Sequence, residues 1–332
     1  MNTRDRALGA FWGLALGDAL GMPTQSMSRE RIADWYGQVR TLVDAAAVQP
    51  ISPGLPAGTI TDDTEQAVLV AHLLIDGGGR IEPDIFAKAL LDWEAGMIQR
   101  GLLDLLGPST KRALELLQSG VPPQEAGKFG TTNGAAMRVT PVAIATPPGL
   151  GVLVDAVVGA SSLTHNTSLG IAGAAAVAGA VSAGIDGADL STALDHAERA
   201  AVAGALRGNW SAGGEIAARI RWAREWVRGM DRPVLADAIV QVIGTSVAAQ
   251  ESVVAAFALA EALGDRPVEA LTLAASLGGD TDTIAAMCGA ILGAQHGVSG
   301  LPSGLIARVR EVNDLALEPV VDGLLELRAA AV

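Results

Sequence analysis

The chain has 332 residues, half of them hydrophobic but only 3% aromatic, and a formal net charge of −13. Its length allows a substantial core, in one large domain or two average ones. The acidic balance excludes a surface built to neutralise nucleic-acid phosphates, which rests on clustered Lys and Arg. It leaves room for small phosphorylated ligands held by metals, backbone amides or a few arginines, and most of the excess simply keeps a protein soluble.

From the N-terminus, "MNTRDRALGAFWGLALGDALG" places acid and base before its apolar stretch and lacks a signal-peptide cleavage pattern. With a lone cysteine, Cys288, no internal disulfide is possible, and a cytoplasmic setting is expected. Cys288 lies in an apolar run and reads as a small core residue, not a nucleophile. Residues 39–60, with "QPISPGLPAG", are the least helical stretch and predict an ordered loop that delivers Thr61. Helical periodicity with acidic starts and glycine stops then recurs in "TEQAVLVAHLLIDGG", "DIFAKALLDWEAGMIQRG" and "STKRALELLQSG". The Asn133-Gly134 pair precedes another apolar segment and does not join alternating strands. Residues 161–185 are uncharged apart from His165, long enough to raise the transmembrane question. The second half, "GIAGAAAVAGAVSAGI", is weakly hydrophobic without an aromatic belt, and reads as the central helix of a bundle. Further helices are expected in "DLSTALDHAERAAVAGALRG", "GEIAARIRWAREWVRGM", "PVLADAIVQVIG", "AAQESVVAAFALAEALGD" and "PVEALTLAASLGG". The breaks are short, with no separating linker and no fixed-period repeat. The expectation is a compact all-α multi-helix bundle, one domain over residues 1–332.

Two acidic corners interrupt this apolar pattern. Thr61, Asp62 and Asp63 open one helix, and Asp280, Asp282 and Thr283 follow Gly278-Gly279 at the mouth of "TIAAMCGAILGAQHG". Capping explains either one alone: such residues favour helix N-termini, and Asp62 with Glu65 has capping-box spacing. One N-cap needs one side-chain acceptor, however, not two carboxylates and a hydroxyl. If the corners face each other, four carboxylates repel in a low-dielectric pocket unless divalent cations bridge them. All-oxygen donors suit magnesium or manganese, and no Cys/His cluster competes. Terpenoid synthases also hold magnesium on helical acidic clusters. Their cavities need aromatic walls, though, and this chain has one tyrosine and four phenylalanines.

The segments "GLALGDALGMPTQ", "TDDTEQAVLVAHLL", "GTTNGAAMRVTPVAI", "SLTHNTSLGIAGAAAVAGAV" and "GGDTDTIAAMCGAILGAQHG", in that order, resemble the ADP-ribosylglycohydrolase family and span nearly the whole chain. The resemblance implies an all-helical domain with two adjacent divalent cations, Mg2+ or Mn2+, between helix N-termini. Carried over, the ligands are Thr61, Asp62 and Asp63 with Asp280, Asp282 and Thr283, and the catalytic carboxylates are sought among Asp63, Asp282 and Asp104. The loop Gly130, Thr131, Thr132, Asn133, Gly134 resembles one that approaches substrate phosphates, and its plainer reading is a helix-entry turn capped by Asn133. Arg138 either faces phosphate or is a structural partner of Asp18. His165 matches a family histidine near the ligand, and is otherwise a hydrogen-bonded core residue. Where many relatives carry a glutamate, this chain has Gln25, which can orient a water but cannot take a proton as a general base. Asp104 stands near the place of an alternative base, beside its reading as a solvent-facing loop aspartate.

The function implied is metal-dependent hydrolysis of a ribosyl glycosidic bond, releasing ADP-ribose from a modified protein side chain or small acceptor. Hydrolysis of free nucleosides is the alternative, and a silent ADP-ribose binder that lost its base at Gln25 is the non-enzymatic one. Neither nucleic acid nor membrane is an expected partner, and oligomeric state is not legible.

Overall fold

Gly9, Gly13, Gly17 and Gly21 recur every fourth residue, which leaves one stripe of a helix without side chains. The computed structural model describes residues 1–100 and 106–331. There the stripe lies on the helix Thr3–Gly21, packed antiparallel against the helix Thr281–His296. A Cβ on Gly9 would sit 2.2 Å from the carbonyl oxygen of Gly293, and one on Gly13 2.1 Å from that of Gly289. One on Gly17 would sit 2.1 Å from that of Ala285. The two backbones therefore touch along their length, closer than side-chain-mediated helix packing allows. Gly21 is the last rung, where a Cβ would lie 2.4 Å from Cα of Asp282. Packing of two apolar helices thus seats one acidic corner against the end of the first helix.

Eighteen α-helices occur among the described residues, and β structure there amounts to two isolated bridges, Thr132 with Ala248 and Thr167 with Asn209. The all-α expectation holds. The periodic segments become Asp62–Asp76, Pro83–Gln99, Pro108–Gln118, Leu190–Ala205, Ile216–Val227, Ala249–Leu263 and Pro267–Ala274. "PVLADAIVQVIG" forms Arg232–Ala238 and then a π-helical turn, Ile239–Ile243. One apolar core of small and branched side chains runs through the bundle.

The helix Ser168–Ile185 is long and apolar enough to cross a membrane, yet 94% of it is buried inside the bundle. It packs on Leu190–Ala205, Leu150–His165, Ala249–Leu263 and Thr281–His296. Between Tyr36 and Asp62 no helix forms. That segment is held by Asn313, whose Oδ1 accepts from the Ile60 amide at 3.1 Å and whose Nδ2 donates to the Gly58 carbonyl at 2.8 Å. The loop so fixed ends at Thr61. Cys288 is fully buried, which raises its thiol well above the ordinary range and makes it inert packing.

Candidate metal centre and active site

The helix Asp62–Asp76 is capped from outside. Thr61 is its N-cap residue but makes no side-chain cap bond. Asp18, on the first helix, fills that role: its carboxylate accepts from the Thr61 amide at 3.0 Å and the Thr64 amide at 3.1 Å. It also accepts from the hydroxyls of Thr61 at 2.8 Å and Thr64 at 2.5 Å. Four donors converge on this one buried carboxylate, and two of them are orphan amides of the first turn. Glu65 is drawn away by Trp93 Nε1 at 2.7 Å and Arg100 at 2.9 Å, so no capping box forms. Asp62 and Asp63 are thereby released from capping.

The second corner is shaped by Gly278 and Gly279, at φ +83° and +77°, a left-handed turn that a side chain would strain. The Asp280 amide donates to Thr245 O at 2.7 Å, and Ser26 N donates to Gly279 O at 2.7 Å. Asp280 is the N-cap residue of Thr281–His296 and, like Thr61, makes no side-chain cap bond. The corners meet where Thr283 Oγ1 donates to Asp63 Oδ2 at 3.3 Å, across 220 positions of sequence. Asn133 brings in the third segment, donating to Asp280 Oδ2 at 2.5 Å and to Ser252 Oγ at 2.9 Å.

These segments surround one cavity. Asp62, Asp280, Asp282 and Thr283 line it on one side, Thr132, Asn133 and Gly134 on another, with Gln25 and Thr110. Thr61 and Asp63 lie beneath that surface, reached through Thr283. Gly130, Thr131 and His165 are set behind the loop. A Cβ on Gly130 would lie 2.8 Å from Cα of His165, and one on Gly134 2.9 Å from its Cε1. Both glycines therefore make room for His165 and bring the loop onto it. Arg138 pairs with neither Asp18 nor solvent. It donates to Gln66 Oε1 at 2.8 Å and Thr164 Oγ1 at 2.5 Å, because Thr61 and Thr64 already saturate Asp18. Asp104 lies outside the described residues, while Leu106, Gly107 and Pro108 line the cavity.

Five buried aspartates share this region, and burial is the main cause of all their shifts. It raises Asp18 and Asp280 to about 6 and holds Asp62, Asp63 and Asp282 well above the usual carboxylate range. Neighbouring carboxylates add to the last three, Asp282 on Asp63 and Asp18 and Asp280 on Asp62. Among the described residues no Lys, Arg or His lines the cavity. Among the described residues no three carboxylate, imidazole or thiol groups are drawn into a ready-made cation site. The donor set nevertheless fits hard cations. Asp63 Oδ1 and Asp282 Oδ1 are buried without a hydrogen-bond partner, and carboxylate and hydroxyl oxygens are what magnesium and manganese take. Gln25 Nε2 is a third buried atom without a partner.

Sequence reasoning missed Asp18 as a member of the cluster. Its signal was present: a charge inside the glycine-striped apolar helix "GLALGDALG". Gln66, which stands between Arg138 and Asp62, gave no such signal.

The family model described as ADP-ribosylglycohydrolase matches residues 1–331. The chain is 36% identical to the uncharacterized protein YegU of Escherichia coli (strain K12) over 98% of its own length and 97% of that protein's. It is 26% identical to the ADP-ribosyl-[dinitrogen reductase] glycohydrolase of Rhodospirillum rubrum over 98% and 97%. A solved structure titled ADP-ribosylglycohydrolase-related protein complex shares the fold, with a TM-score of 0.66 at 24% identity, covering 100% of this chain and 99% of that one. The chain belongs to the ADP-ribosylglycohydrolase family and is a glycosyl hydrolase.

Proposed function

We propose that the protein hydrolyses the glycosidic bond between ADP-ribose and a protein side chain or small acceptor, and that it does so with two divalent cations, Mg2+ or Mn2+. The observation that carries this reading is the meeting of Asp62–Asp63 with Asp280–Thr283 around a cavity, leaving two buried carboxylate oxygens without partners. Thr61, Asp62, Asp63, Asp280, Asp282 and Thr283 would hold the ions, which would polarise the ribose hydroxyls and acidify an attacking water. The acidic wall suits the positive charge that develops on the sugar in an oxocarbenium-like transition state. Asp63, Asp282 and Asp104 are the carboxylates assigned to acid–base work. Gln25 orients groups in the cavity but takes no proton. The name of the Rhodospirillum rubrum relative favours a modified protein as substrate.

Incubation of the protein with ADP-ribosylated arginine, ADP-ribosylated serine and plain nucleosides, in Mg2+ and in EDTA, tests the reading. Release of ADP-ribose from a conjugate in Mg2+ alone is expected. Turnover restricted to nucleosides, or undiminished in EDTA, overturns it. Gln25 favours a second reading, an ADP-ribose binder without turnover, which predicts tight ADP-ribose binding and no release from any conjugate.

Burial also makes the cation-free protein pH-sensitive. Carboxylates whose folded pKa exceeds the unfolded value of about 4 bind more protons folded than unfolded, so stability falls as pH rises through that window. Asp18 and Asp280 place the decline between about pH 4 and 6, and the other three carry it higher. Thermal unfolding in EDTA should therefore show a melting temperature that drops from pH 5 to pH 8, and Mg2+ should restore it most at pH 8. A flat profile in EDTA would mean the cluster is not strained.

A further inference from the structure

Arg138 is the large charged side chain that the reading above leaves without a task. It is 1% exposed, burial lowers it to about 10, and its Nε has no partner. Burying a guanidinium without a carboxylate hydrogen-bonded to it is costly. Its two bonded nitrogens reach opposite parts of the site. Nη1 donates to Gln66 Oε1, which turns the Gln66 amide nitrogen toward Asp62 Oδ2 at 3.5 Å. Nη2 donates to Thr164 Oγ1 at 2.5 Å.

A threonine hydroxyl has one proton and two lone pairs. With Arg138 occupying one lone pair, the Thr164 proton has a single acceptor within reach, His165 Nδ1 at 2.7 Å. The opposite arrangement, a proton on Nδ1, would aim two donors at Thr164 Oγ1 and strand its own proton in a site with no solvent exposure. His165 must then carry its proton on Nε2, 3.0 Å from Thr132 Oγ1. The ring is neutral, held well below its ordinary pKa by burial and next by Arg138. It is also clamped. A Cβ on Gly134 would come 2.9 Å from its Cε1, and one on Gly130 or Gly170 would come within 3.0 Å of the His165 Cα or Cβ, so Gly134 abuts the ring while the other two fix the residue that carries it. Thr132 Oγ1 receives the Nε2 proton and has no other hydrogen bond, and Thr132 lines the cavity. Its own proton has no acceptor among the described residues.

We propose that Arg138, Thr164 and His165 form a one-way hydrogen-bond relay that occupies one lone pair of the Thr132 hydroxyl and leaves its proton for the cavity, where it donates to an unprotonated ligand oxygen. Resting on the function proposed above, that oxygen belongs to the ADP-ribosyl group. A preset neutral donor suits an anionic oxygen in a cavity where the described residues offer no cationic side chain. Arg138, Thr164 and His165 are positioning residues, and Thr132 is the one that touches ligand.

Long-range 1H–15N spectra of the imidazoles test the relay without any ligand; the chain has four histidines, and the His165→Gln spectrum assigns the signal. The expected result is a neutral ring protonated on Nε2 from pH 5.5 to 8, retained in Thr164→Ser. A proton on Nδ1, or a charged ring, overturns the proposal. Binding of ADP-ribose in Mg2+ supplies the second readout. Thr132→Val should weaken it about tenfold, the worth of one hydrogen bond, and Thr132→Ser should stay within about threefold of the parent. Equal affinity in Thr132→Val overturns the donor role. If the parent protein does not bind ADP-ribose at all, the proposed function fails, and the imidazole spectrum still decides the relay.

Discussion

Asp282→Asn and Asp62→Asn should each reduce hydrolysis by more than about a thousandfold, while raising the melting temperature of the cation-free protein. The two effects have one cause. Both carboxylates are buried, face the cavity and lie among other carboxylates that push their pKa values up. In the absence of cations their charge is a cost, and an amide of the same shape removes it. With roughly 1–2 °C per kcal/mol in a chain of this size, relief at one site should be visible as a gain of about one to a few degrees in EDTA. Mg2+ should then stabilise the variants less than the parent protein, because one of the proposed ligands has gone. Activity assays and paired melts in EDTA and Mg2+ check all three outcomes. A variant that loses activity and melts lower in EDTA would mark the aspartate as part of the scaffold and not of a cation site. One that keeps normal turnover would remove it from the chemistry.

The second large effect lies away from the cavity. Gly289→Ala should destabilise the protein by about 3 kcal/mol or more, although alanine is intrinsically the better helix former by about 1 kcal/mol. A Cβ there would stand 2.0 Å from the carbonyl oxygen of Gly13, which belongs to backbone and cannot swing aside. The helices must part, and the rung at Gly21 carries that displacement to Asp282. Loss of activity should therefore accompany the loss of stability. Gly159→Ala is the matched control: it is exposed within the helix Leu150–His165, with no atom of the described residues near its Cβ, and should stabilise slightly. Chemical denaturation of both variants checks the pair. Equal stability for the two would mean that the helices are not in backbone contact.

Much of the candidate site was legible because its residues violate the local pattern. Two aspartates and a threonine at the start of a buried apolar helix exceed what one N-cap uses, and the excess pointed to a shared ligand. The reading of Arg138 failed for an equally local reason. A pairing of opposite charges was the simplest expectation for Asp18, but two threonines of the other corner satisfy that carboxylate from 43 and 46 residues away. Gly130 and Gly134 read as giving a ligand access to the loop. Their close contacts are with His165, a residue some thirty positions further on whose proximity no spacing announces.

By itself the sequence determined the helices, their short connections, the buried character of Ser168–Ile185 and the two acidic starts. These follow from periodicity, caps and side-chain size, which act within a few residues of each other. Only the tertiary structure decided that Asp18 would cap a helix other than its own, freeing Asp62 and Asp63, and that Thr283 would reach Asp63. It alone oriented the chain from Arg138 to Thr132. Such arrangements depend on which backbones can touch, and the bare glycine faces of Thr3–Gly21 and Thr281–His296 set that distance. Hydrogen-bond direction is then settled by counting protons and lone pairs among groups that the chain order keeps far apart.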